Sequence, residues 1–310
     1  MSLESIVDKK LSCGGTGADT GTQGCQIEWG VPLHTIGMTK GFVIPKATVF
    51  NKAYIDAQIQ LGNFIPAIGA ETYEDQSGED QVSTNARGVE RLNVLGLPKY
   101  MFTYEEGHEF YKQMAKLTSF KALDWIFADE EGNWRLAINS DGDYTGFTAG
   151  QTIAMITKAK QLGGDSESKS LSIQLLNRKQ WDQEYGFALR DQLTFAPEEI
   201  QGANGVIFSI DAAPTDTDTT MDFTAVYKAD GLTPVEGLVL ADVLFTVNGV
   251  DGLATALVEN SPGQYTITVP QMGVGEVVGV QTFDAGVNKF VVINNGLLFR
   301  SNLATETVLA

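Results

Sequence analysis

The feature that most constrains this chain is a period of two. In DFTAVYKADG (222–231), Phe223, Ala225 and Tyr227 fall on one face of an extended strand. In DVLFTVNG (242–249), Val243, Phe245 and Val247 do the same. In GQYTITVP (263–270), Tyr265, Ile267 and Val269 alternate with outward Thr266 and Thr268. Side chains of a strand point alternately to its two faces, so apolar residues two apart make a half-buried strand and not a helical stripe. Turn sequences separate these runs: ADGLTP, NGVDG and NSPG. Short strands at this spacing predict a small β-sandwich over residues 221–300, and the 33 glycines suit a chain with many turns. KFVVINNGLLFR (289–300) adds two apolar runs around Asn294-Asn295-Gly296, a hairpin that either completes the sandwich or returns to the preceding domain.

Upstream the rhythm is less regular. Residues 1–30 carry CGGTGADTGTQGC (13–25) and read as a flexible arm. From there to residue 210 short apolar runs alternate with turns. IEWGVPLHTIG and GFVIPKATVF read as strands broken by Gly and Pro, AYIDAQIQLGNFIPAIG is ambiguous between helix and strand, and ETYEDQSGEDQVSTNARG (71–88) reads as an exposed loop or hairpin tip. Thr103 and Glu106 have capping-box spacing, followed by Phe110, Tyr111, Met114 and Leu117 on one helical face. Together they predict a helix over about 104–118 packed on a sheet. ALDWIFAD and WRLAINS flank the tight turn EEGN, SDGD (140–143) is an Asp-Gly turn, and QTIAMITKAK and SLSIQLLNRKQ read as two further strands around a loop.

The fold class expected is therefore α+β. Residues 31–210 form a mostly antiparallel sheet or partial barrel with one packed helix, and residues 221–300 an Ig-like β-sandwich. DAAPTDTDTT (211–220), with no large apolar residue, reads as the linker, and residues 301–310 as a tail.

The formal net charge of −18 excludes tight nucleic-acid binding, because an acidic surface repels phosphates. Residues 201–310 hold 12 acidic and 3 basic residues, roughly twice the acidity per residue of the first 200. No apolar run is long enough to span a membrane, and MSLESIVDKKLS carries no signal-peptide core, so synthesis in a cytoplasm is expected.

A search for chemistry yields no catalytic, cofactor-binding or metal-ligating assignment. Of two histidines, His108 could ligate with Glu105 or Glu109, but Lys112 stands where HExxH needs its second His. Cys13 and Cys25 could bridge a Gly-rich loop, remain free thiols, or pair one thiol with His34; nothing in the spacing requires any of these. GGTGADTGTQG lacks the Lys-Ser/Thr of a phosphate loop, and no GxSxG elbow exists. Asp129-Glu130-Glu131 and Glu105-Glu106 read as solvated carboxylates. DTDTT (216–220) and SDGD lack EF-hand spacing and read as linker and turn. Trp125, Trp134, Trp181, Tyr144 and Phe147 cluster in sequence and suit a core, a subunit interface or a sugar-stacking surface.

Two resemblances add to this reading. FTAVYKADGLTPVEG, LFTVNG and ATALVENSPGQYTITVP, within about 213–283, resemble the bacterial Ig-like domains of the invasin and Big type. GLPKYMFTYEEGHEFYKQMAKLTSF, DWIFADEEGNW, GFTAGQ and SLSIQLLNRKQWD are similar to ring-forming tail-tube and neck proteins of tailed phages, including crAss-like phages. The resemblance implies a non-enzymatic virion structural protein, made in the host bacterial cytoplasm, that assembles with itself into a homo-oligomeric ring and with other virion proteins. DNA would pass without being held, past lumen acids from ETYEDQSGED and DEEGN. An outward Ig-like module could meet host surface glycans. A head-decoration protein or a glycan-binding adhesin is the alternative, and neither a cofactor nor a membrane is implied.

Overall fold

The computed structural model describes residues 2–5, 29–84, 90–105, 108–158, 168–294 and 296–310. Cys13, Cys25, the glycine-rich stretch and Glu106 lie outside them, as does most of the expected arm. The fold is mostly β, with few helices. The chain divides into two compact units, Met1–Ile55 with Gly62–Ile200 and Asp56–Leu61 with Gln201–Ala310.

In the first unit the strands are β1 (Pro32–Thr39), β2 (Val43–Ile44), β3 (Phe64–Ala67), β4 (Thr72–Asp75), β5 (Gln81–Thr84), β6 (Glu90–Val94), β7 (Lys99–Tyr104), β8 (Ser119–Phe120), β9 (Leu123–Asp129), β10 (Trp134–Ile138), β11 (Tyr144–Thr145), β12 (Phe147–Lys158), β13 (Ser168–Leu175) and β14 (Tyr185–Ala188). All but β5 and β6, which pair as a separate hairpin, belong to one curled antiparallel sheet with the path β2-β11-β10-β9-β12-β13-β7-β4. The sheet branches at β9, which pairs with β1, β10 and β12 along different parts of its length. Gly146 lets the chain cross there, because a Cβ at that position would lie 2.8 Å from the Trp125 backbone nitrogen.

The expected ALDWIFAD/WRLAINS hairpin is present, with Trp134 opposite Ala128 and Arg135 opposite Phe127. The QTIAMITK part of the first run and the SLSIQL part of the next pair as β12 and β13; the following NRKQ does not continue the strand. Asn177 instead accepts from the Lys179 and Gln180 amides and starts the short helix Arg178–Asp182. The ambiguous AYIDAQIQLGNFIPAIG contains both elements. Asn51 caps the helix Lys52–Leu61 by accepting from the Tyr54 amide at 2.9 Å, Gly62 ends it at φ +80°, and β3 follows.

The expected helix is shorter than its pattern, at His108–Ala115. The anticipated cap and first residue belong to the end of β7: Thr103 and Tyr104 pair with Ser170 and Lys169 of β13, so Thr103 is a ladder residue and not a cap. The apolar face is as expected, with Met114 and Leu117 buried and Phe110 and Tyr111 packed beside them against Phe102, Tyr104 and Leu171.

The second unit comprises β15 (Asn204–Ile210), β16 (Thr220–Tyr227), β17 (Val243–Val247), β18 (Val250–Asp251), β19 (Ala256–Ser261), β20 (Gln264–Thr268), β21 (Val277–Thr282), β22 (Val292–Asn294), β23 (Leu297–Ser301) and β24 (Ala304–Thr307). They form two sheets, β19-β20-β16-β15-β23-β22 and β18-β17-β21-β24. Buried side chains of both make one core: Phe208, Phe223, Tyr265 and Ile267 from the first sheet, Phe245, Val278 and Val280 from the second.

Two boundaries differ from the sequence reading. The stretch 211–220 is not a linker, because β15 and β16 pair across it as a hairpin and the units part after Ile200. Residues 301–310 are not a tail, since β24 pairs with β21 and Val308 is buried. Leu309 also bridges Thr215 in parallel. The 289–300 hairpin stays in this unit, where β23 runs parallel to β15 with Asn204 opposite Phe299.

The NSPG turn shows why glycine is needed there. Gly263 sits at φ +71°, its carbonyl accepts from the Ala225 amide at 2.7 Å, and a Cβ would lie 2.7 Å from the Ala225 oxygen. Inside the core the Tyr265 hydroxyl donates to the Val235 carbonyl at 2.8 Å and accepts from the Leu238 amide at 3.2 Å. Burial pushes this phenol up to about 12, so it stays a donor at neutral pH.

Candidate functional site

Strand β10, WRLAI, is covered on both faces. Trp134 packs against Phe50 and Phe195 on one side, with ring centroids 6.0 and 6.4 Å away. Arg135 points to the other side, among aromatic rings. Its guanidinium carbon lies 3.8 Å from the Trp181 ring centroid and 4.2 Å from that of Tyr185, with Trp29 and Phe187 at 5.7 Å. A cation over an aromatic ring gains roughly 0.5–2 kcal/mol from the contact.

The hydrogen bonding of this guanidinium is incomplete. Nη2 donates to the Trp181 carbonyl, Nε is buried without a partner, and no carboxylate among the described residues forms an ion pair with it. Arg135 is 8% exposed. Burial pulls its pKa below the ordinary value, opposed by nearby Tyr185, Tyr100 and Asp182. An arginine remains cationic regardless.

Arg135 contributes to an open cleft of about 420 Å³. Half-buried Trp29, Tyr73 and Trp181, with the more deeply set Tyr100, supply aromatic walls, and exposed Asp75 and Glu130 complete the lining. Tyr73 and Trp181 are held by Tyr100, at centroid distances of 5.6 and 4.9 Å. Burial drives both tyrosine phenols upward, so they act as neutral groups. The arrangement offers a cation, neutral rings and two carboxylates to a small polar ligand. No nucleophile–base pair lines it.

A second polar cluster is structural. His34 is 4% exposed. Its Nδ1 accepts from the Gly69 amide at 3.1 Å, so the proton sits on Nε2 and donates to Glu198 at 3.2 Å. Burial lowers the His34 pKa, partly offset by Glu198 and Asp129. Asp129 is fully buried and accepts from the amides of Gly30, Glu131 and Asn133 and from the Asn133 side chain. It pins the EEGN turn, so it is neither the solvated carboxylate nor the lumen acid expected from DEEGN. Glu130 and Glu131 are exposed.

Other residues weighed from the sequence fall as follows. His108 begins its helix, and Glu105 is exposed before it. Asp143 accepts from the distant Lys46 amide, and Asp218 from the Thr215 amide within its own turn. No group of three or more His, Cys, Asp or Glu among the described residues is placed to hold a metal ion. Trp125, Trp134, Tyr144 and Phe147 are buried within the first unit, and the Trp125 indole donates to Thr152 at 3.1 Å. Only Trp181 of that set reaches the cleft.

Sequence reasoning passed over Arg135, Trp29, Tyr73 and Tyr100. The available signal was an arginine inside the apolar run WRLAI, where strand burial forces a cation to find partners.

No protein-family model matches the chain, and no curated protein matches it. No helix among the described residues is long and apolar enough to cross a membrane.

Proposed function

We propose that this chain is a non-enzymatic virion structural protein that assembles with itself into a ring or tube of a phage tail or neck, with its second unit as an outward-facing Ig-like module. The observation that carries the reading is strand order. Taking β15, β16, β17, β18, β19, β20, β21 and β24 as A, B, C, C′, D, E, F and G, the two sheets run D-E-B-A and C′-C-F-G. This order supports the Ig-like reading, in which ABED faces CFG. The hairpin β22–β23 is an insertion between F and G that extends the first sheet beyond A.

The resemblance of the first 210 residues to tail-tube and neck proteins supplies the virion context. The first unit suits assembly by sheet addition. The sheet path ends at β2 and β4, short strands with one ladder partner each, and β5–β6 forms a separate hairpin. Unpaired strand edges are templates for a neighbouring copy. Exposed Glu79 and Glu131 are acids that a DNA conduit would present to its lumen.

Electron microscopy and light scattering of the purified full-length chain test this. Closed rings or stacked tubes of uniform diameter are expected. A monodisperse monomer at every concentration and ionic strength would rule out the assembly reading and leave an adhesin-like binder in its place.

A further inference from the structure

We propose that the cleft over Arg135 is a binding site for an acidic saccharide, a sugar ring bearing one carboxylate such as a uronic or sialic acid. The argument stands apart from the assembly reading, because it uses only the chemistry of one cleft in the first unit.

A guanidinium that is 8% exposed and lacks a carboxylate partner is unusual, since a buried charge is disfavoured unless its donors are used. Arg135 donates from Nη2 to a backbone carbonyl, and its guanidinium carbon lies over the Trp181 and Tyr185 rings. Nη1 has no acceptor among the described residues, and Arg135 belongs to the cleft lining. The unmet demand is for one anionic acceptor. The surrounding rings and the Trp181 carbonyl hold the guanidinium in place, so the site is organised before any ligand arrives.

The rest of the lining selects among anions. Exposed Asp75 and Glu130 repel a multiply charged phosphate or polyphosphate. They suit a ligand whose single carboxylate goes to Arg135 and whose hydroxyls donate outward to the two acids. Half-buried Trp29, Tyr73 and Trp181 offer aromatic surface for the apolar C–H face of a pyranose. A volume of about 420 Å³ lies within the range of small-ligand sites.

The test titrates the full-length chain with D-glucuronate and N-acetylneuraminate, read by tryptophan fluorescence and calorimetry. D-glucose, the methyl ester of glucuronate and inorganic phosphate are the comparators. Saturable binding of at least one sugar acid is expected, with the neutral sugars weaker by about tenfold or more. Arg135→Met should abolish it with the circular dichroism spectrum unchanged. Asp75→Ala and Glu130→Ala, at exposed positions, should each weaken it several-fold, and they decide the matter if the Arg135 variant misfolds. The inference fails if neither acid binds at up to about 10 mM, if glucose or phosphate binds as tightly as the acids, or if both rim variants bind as the parent does. Rings that form without sugar binding would leave the assembly reading intact and remove only this one.

Discussion

The two units bury their strands differently. In the second, one face of each sheet meets the core, and the alternation survives in the burial itself: β16 and β20 alternate buried and more exposed positions through most of their length. In the first, the central strands β9, β10 and β13 are buried almost residue after residue, because the sheet curls and branches until both faces are covered. A strand with one wet face carries its orientation in its sequence. A strand with none becomes a solid apolar run.

The comparison breaks most directly under a parity test. Lysine at Ile267 of β20 should unfold the second unit, whereas lysine at the adjacent Thr268 should change stability by no more than about 0.5 kcal/mol. In β9 both Ile126→Lys and Phe127→Lys should be severe, each losing more than about 4 kcal/mol, because neither parity faces water. Denaturant midpoints of the four variants measure this. A tolerated lysine at either β9 position would show that one face of the first sheet is accessible.

Turn chemistry gives a smaller contrast. Asp129→Ala strands several amides of the EEGN turn and should destabilise the first unit by about 2–4 kcal/mol. Gly263→Ala forces a Cβ against the Ala225 carbonyl at positive φ and should destabilise the second by about 1–3 kcal/mol. Domain-resolved hydrogen exchange should place each loss in its own unit.

The smallest effect is a pH dependence confined to the first unit. The folded pKa of His34 lies below its ordinary 6.5, so the unfolded chain binds the extra proton first. The stability it supports is complete above 6.5 and declines as pH falls from there toward the folded value. Protonation would also turn Nδ1 into a donor facing the Gly69 amide. His34→Gln should flatten this part of the pH profile, and an unchanged profile would assign the slope to other groups.

How much was legible follows from the same contrast. The strands of the second unit, their inward residues and the NNG hairpin could be read because alternation and turn residues agree. The boundary could not: DAAPTDTDTT looks like a linker, yet hairpin loops share that composition, and only the pairing of Phe223 with Ile210 distinguishes them. In the first unit the hairpins were visible, but Thr103 obeyed a capping pattern while ladder bonds to β13 claimed it. Asn51 and Gly62 bounded a helix whose polar interior hid it. The cleft was the least legible part. Trp29, Tyr73, Tyr100, Arg135 and Trp181 come from five separate stretches of chain, and their convergence is a product of the curl. No local pattern encodes it.

The parallel pairing of β15 with β23, reinforced where Leu309 bridges Thr215, has a mechanical consequence. Tension applied between residue 201 and the region of residue 309 pulls β15 along its own axis, against a neighbour that runs in the same direction. The hydrogen bonds between them are then stretched together in shear and are not unzipped singly. A module tethered in this way resists extension at its first strand.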